Sequence, residues 1–194
     1  MTKKYELVKE KGTRLKRLIA LRDFSSILKG EKGGLIETES NLSQEGDAWV
    51  FGDARVTGDA RVFGDARVFG DAGVSGDARV SGDARVSGDA RVSGDAWVSG
   101  DARVYGDAGV FGDAWVFGDA WVFGDARVYG DARVTGDAWV SGDAGVYGDA
   151  WVFGDARVCS RFSFRNTKEI KLWTHYEELF EKALSKQRKK EVGE

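Results

Sequence analysis

Nineteen aspartates, from Asp47 to Asp155, recur at six-residue intervals, and ten arginines and sixteen aromatic residues are interleaved with them. Carboxylates repeated so regularly could hold divalent cations, because Ca²⁺ takes several carboxylate and carbonyl oxygens. The interval of six differs from that of nonapeptide calcium repeats, however. Each Asp follows a Gly, so the expectation is a turn carboxylate that accepts backbone N–H bonds and meets a nearby Arg, with no metal site. The aromatic side chains supply large contact areas and form a candidate sugar- or protein-binding surface: Trp97, Trp115, Trp121, Trp139, Trp151, Phe117, Phe123 and Phe153. The same rings would also stabilise sheet faces by stacking across strands. Nucleophilic catalysis needs a nucleophile beside a base, yet Cys159 and His175 are each the only residue of their type, and no His lies within the repeats. The Gly-Asp pairs read as turns, not as a phosphate cradle. No catalytic residue and no cofactor are therefore expected.

These residues are carried by a repeat. From Gly46 to Cys159 the unit Gly-Asp-Ala-x-Val-x runs without a gap for 114 residues, or 19 hexads, in a chain of 194 residues with 27 Gly and no Pro. Successive side chains of a strand point to opposite faces, so Ala and Val share one face and the two variable residues share the other. Gly permits positive φ and Asp bonds locally, which bends the chain after four extended residues. A strand that short cannot bury its Val alone. Parallel stacking of copies supplies both the hydrogen bonds and a continuous narrow core of Ala and Val.

Val50-Phe51-Gly52-Asp53-Ala54-Arg55 and its successors resemble the hexapeptide repeat of left-handed parallel β-helix proteins. That resemblance covers all 19 hexads and implies left-handed, triangular coils of three hexads each. Ala20-Leu21-Arg22-Asp23-Phe24, Gly33-Gly34-Leu35-Ile36-Glu37 and Asn41-Leu42-Ser43 resemble the start of bacterial and phage hexapeptide-repeat proteins of unknown function. Left-handed β-helix families also include acyltransferases and a zinc carbonic anhydrase type, whose chemistry the resemblance ties to His residues. His175 alone cannot supply a three-His metal site, and no loop interrupts the hexads to present a catalytic one.

Three segments follow. Residues 1–45 are expected to form an N-terminal cap, a β-hairpin within residues 5–24 turning at Lys11-Gly12-Thr13 and then an irregular first coil. Residues 46–171 would form about seven coils, a body roughly 30 Å tall at ~4.8 Å per coil. There Phe162 and Phe164 replace Ala and Val in the decaying repeat. Residues 172–194 read as an amphipathic capping α-helix, with Tyr176, Leu179, Phe180 and Leu184 at helical spacing and a basic tail. Caps oppose endless stacking of exposed strand edges.

Folding at 18 residues per coil gives three outward faces. The first presents Trp49, Arg67, Arg85, Arg103, Trp121, Trp139 and Arg157; the second alternates Arg55, Gly73, Arg91, Gly109, Arg127 and Gly145; the third presents Arg61, Arg79, Trp97, Trp115, Arg133 and Trp151. Arg, Trp and Gly codons can differ by a single base, so the expected origin of this variation is duplication followed by single-base drift or targeted mutagenesis.

The repeats carry ten Arg against nineteen Asp, while the flanks are net basic and the whole chain is −3. An acidic body argues against nucleic acid as a partner. One Cys excludes an internal disulfide framework, and Leu18 to Leu21 is too short for a signal peptide or membrane span. The expectation is a cytoplasmic, non-catalytic structural or binding scaffold whose partner is another copy of itself or a second protein, with no membrane partner. Two alternatives stand behind it, a degenerate acyltransferase-like protein and an acidic interaction decoy.

Overall fold

The computed structural model describes residues 3–159 and, as backbone, 163–165. Two strands, β1 (Tyr5–Lys9) and β2 (Lys16–Ala20), pair antiparallel as the expected hairpin, and β2 pairs antiparallel with β3 (Lys32–Ile36). From β3 onward every pairing is parallel. On the first face Arg85 lies between Arg67 and Arg103, on the second Arg91 lies between Gly73 and Gly109, and on the third Trp97 lies between Arg79 and Trp115. The register is eighteen residues on all three sides, so three hexads make one turn. The result is an all-β solenoid of about seven turns with three parallel sheets, one of which continues into the hairpin.

The hexad dictates each turn. Every inward Ala and Val from Ala48 to Val158 is at most 5% exposed, and together they form the single column of core. Burying each Val contributes on the order of 1.5–3 kcal/mol. Adjacent turns are joined by backbone bonds such as Arg85 N–H to the Ala102 carbonyl and Ser87 N–H to the Val104 carbonyl, both 2.9 Å. Each Gly of a Gly-Asp corner has φ between +56° and +75°. At Gly88 a Cβ would also lie 3.0 Å from the backbone nitrogen of Gly106 in the next turn, so conformation and stacking both demand Gly there.

The first turn is built differently. Its sides are β3, a 3₁₀ turn at Glu39–Asn41 leading to Leu42, which bridges to Val62, and β4 (Trp49–Val50). No Gly-Asp corner precedes Gly46. Instead Asn41 is fully buried and its side-chain amide donates to the carbonyls of Gly58 (2.9 Å) and Ala60 (2.8 Å), replacing the backbone donor that a regular strand would offer. Lys4 is equally buried, with Nζ donating to the carbonyls of Ala48 (3.1 Å), Gly46 (3.2 Å) and Glu45 (3.4 Å).

One outward assignment is corrected here. Trp49 occupies an outward position of its hexad but is fully buried, because the head folds across it: Phe24 and Tyr5 meet its ring edge-on at 5.3 and 6.2 Å. At the far end, Ser163–Arg165 pairs with the preceding turn so that Phe164 stands opposite Val146, in the Val register. Phe162 and the capping helix with Tyr176, Leu179, Phe180 and Leu184 lie outside the described residues.

Candidate functional site: two aromatic faces and a groove

With Ala and Val turned inward, the variable residues of the hexads lie on the outside in vertical columns spaced by ~4.8 Å, where Trp49, Ser81, Gly109 and Thr135 are covered by neighbouring side chains. On the first face, four successive turns contribute Arg103, Trp121, Trp139 and Arg157. The two indoles stack at 5.1 Å with planes 6° apart, and Arg103 and Arg157 close the stack at 4.6 and 4.8 Å from the adjacent ring centres. Each such cation–π contact contributes about 0.5–1 kcal/mol at an exposed site. Beside them Tyr105 stacks on Phe123 at 5.0 Å. Burial among these rings pushes the Tyr105 phenol up, with the Arg103 guanidinium opposing.

On the third face Trp97 and Trp115 meet edge-on at 5.4 Å, and Arg133 lies 5.4 Å from the Trp115 ring. Indole N–H groups are tethered to the turn below, Trp97 Nε1 to Ser81 Oγ (3.1 Å) and Trp151 Nε1 to Thr135 Oγ1 (3.3 Å). Trp151 is held by its tether and Trp115 by ring contacts with Trp97, Phe117 and Arg133, and each is still 40% exposed. Trp97, Ser99, Trp115 and Phe117 frame a hollow of about 160 Å³. The eight aromatic candidates therefore do not make one patch. Trp121, Trp139 and Phe123 belong to the first face, whereas Trp97, Trp115, Trp151, Phe117 and Phe153 belong to the third.

The second face holds what the aromatic candidates passed over, a groove of about 770 Å³. Its floor steps through Arg91, Gly109, Arg127 and Gly145. Phe111, Tyr129 and Tyr147 form one wall, and Asp89, Asp107, Asp125 and Asp143 the other. Glycine in the Arg column opens the floor at Gly145, where the nearest ring atoms of Tyr147 would stand 3.7 and 3.8 Å from a Cβ. Tyr129 and Tyr147 stack at 5.1 Å, while the Phe111 ring lies across Gly109 closely enough to bury it. The sequence signal was the Arg/Gly alternation itself.

The aspartates differ from expectation. Among the described residues the repeat carboxylates accept no hydrogen bond within their own corners; Asp65 instead accepts from Asp47 N–H one turn away (3.0 Å), and Asp53 pairs with Arg17 at 3.6 Å. The corner is already held by the positive φ of Gly and by bonds between turns, such as Asp71 N–H to the Gly88 carbonyl at 3.0 Å, so the carboxylates stay in water. Among the described residues no three His, Cys, Asp or Glu side chains converge as a metal site. Cys159 is exposed, and His175 lies outside the described residues. Among those residues no helix is long and apolar enough to cross a membrane.

A family model described as YdcK Beta solenoid repeat matches residues 60–76, 84–100 and 126–142, about a quarter of the chain. An Escherichia coli (strain K12) protein named "Uncharacterized acetyltransferase YdcK" is 38% identical over 42 residues, covering 22% of this chain and 13% of that protein. The chain thus matches a small part of that relative's length. The matched segments are repeats, and they agree with the solenoid; the activity in the relative's name is that protein's own.

Proposed function

We propose that this β-solenoid repeat protein is a non-catalytic scaffold that pairs side to side with a second copy of itself through the third face. The carrying observation is Trp115 and Trp151, held by neighbouring contacts and yet 40% exposed beside an open aromatic hollow. Rigid, half-exposed indoles lose little freedom on association and bring large apolar area. The face also carries both signs of charge, because Arg61, Arg79 and Arg133 run beside the aspartate column of the same hexads, so charge does not oppose the approach of a second copy. Light scattering across a concentration series tests this: the intact protein should approach twice the monomer mass, and Trp115→Ser with Trp151→Ser should return it to monomer without loss of fold. A monomer at all concentrations would end the reading.

A second reading, acetyl transfer, is favoured by the name of the E. coli relative alone. Incubation with acetyl-CoA and a mixed panel of amine and hydroxyl acceptors decides it, because release of free CoA thiol above the buffer rate would replace the scaffold.

A further inference from the structure

We propose that the second-face groove binds an extended, uncharged, β-linked polysaccharide chain. Three features converge on that chemistry. The stacked walls of Tyr129 and Tyr147, with Phe111 one turn away, present apolar ring faces of the kind that pack on the C–H face of a pyranose. Opposite them, the carboxylates of Asp107, Asp125 and Asp143 are acceptors facing water, and the guanidinium groups of Arg91 and Arg127 are donors with no ion pair or hydrogen bond to protein among the described residues. A polyol engages both kinds at once, since each hydroxyl donates and accepts.

Charge and pitch then select among polymers. Four aspartates against two arginines leave the groove net negative, which disfavours polyanions such as nucleic acid or acidic glycans. The turns repeat every ~4.8 Å, with Arg returning every second turn at ~10 Å. A β-1,4-linked hexose chain advances by nearly one turn per sugar and turns over at each sugar, so that the same face recurs every second sugar and the chain meets both periods. An extended peptide, at about 3.3 Å per residue, drifts out of step with them.

The groove lies on a different side from the pairing face, so either proposal can fail without the other. Gly145→Arg is the selective variant. It installs the residue native to alternate turns, and a Cβ there meets only the Tyr147 ring, at 3.7 and 3.8 Å, so the fold survives while the floor is filled. Binding of cellohexaose to the full chain, followed by calorimetry or ligand-observed NMR, should saturate, tighten with length from cellobiose upward and exceed binding of maltohexaose, whose chain coils. Gly145→Arg and Tyr129→Ala should each weaken it about tenfold or more with the thermal melt of Gly145→Arg unchanged. No saturable binding of cellohexaose, equal binding of maltohexaose, or full binding by Gly145→Arg would each overturn the proposal.

Discussion

Lys4 holds a charge-bearing nitrogen against three carbonyls of the first turn and so satisfies the backbone at the end of the core that Tyr5 and Phe24 cover. Lys4→Met leaves the carbonyls of Glu45, Gly46 and Ala48 without their donor and should cost about 1–3 kcal/mol in a denaturant titration. Burial lowers the Lys4 ammonium from 10.5 to about 8, with Asp47 partly opposing. The unfolded chain therefore binds more protons than the folded one between pH 8 and 10.5, and the contribution of Lys4 to stability rises with pH across that window. Below pH 8 both states are protonated and its contribution is flat. Burial raises the Tyr5 phenol, which subtracts stability above its ordinary value of 10, so pH 8 to 10 is the clean interval. Wild type should gain stability relative to Lys4→Met over that interval; parallel pH profiles would contradict the assignment. At this scale the sequence was readable wherever a residue's fate is set inside its own hexad, as for every inward Ala and Val. Trp49 was misread because its cover comes from Tyr5 and Phe24, far upstream. Gly109 and Gly145 were visible as an alternation, but a side chain's absence becomes a groove only when its neighbours' positions are known.

Each strand of the body is local in origin and collective in stability. The alternation Ala-x-Val-x and the Gly corner are legible from one hexad, and the eighteen-residue register follows once three corners close a triangle. Gly88→Ala tests the corner, because φ is +69° there and the added carbon would press on Gly106. It should lower stability by more than about 1 kcal/mol, whereas Gly73→Ala, with ordinary φ and open space, should be near neutral or stabilising. Equal effects in thermal melts would contradict the role given to the corner. The hairpin was legible from alternation and a turn signal. The first turn's closure by Asn41 was not, since a side-chain amide standing in for backbone leaves no periodic trace.

The described residues form a one-dimensional stack in which each turn touches only its neighbours. Removing residues 91–108, one full turn, rejoins Ala90 to Gly109 in the same phase, and the chain should keep its β-sheet circular dichroism and a cooperative melt. Removing residues 91–93 breaks both alternation and corner and should abolish that melt. Length and three-sidedness thus follow from the repeat, but the chemistry each side offers follows from ten Arg, six Trp and three Gly at the first variable position and from Phe, Tyr, Ser, Thr and Cys at the second. That distribution places exposed indoles on one side and a polar groove on another. The central claim, that this rod pairs through its third face, is tested most directly by small-angle X-ray scattering of the intact protein at concentrations where it is dimeric. Side-to-side pairing predicts an enlarged cross-section with the length of a single solenoid. A particle of single-solenoid cross-section and doubled length would place the contact at the ends and contradict it.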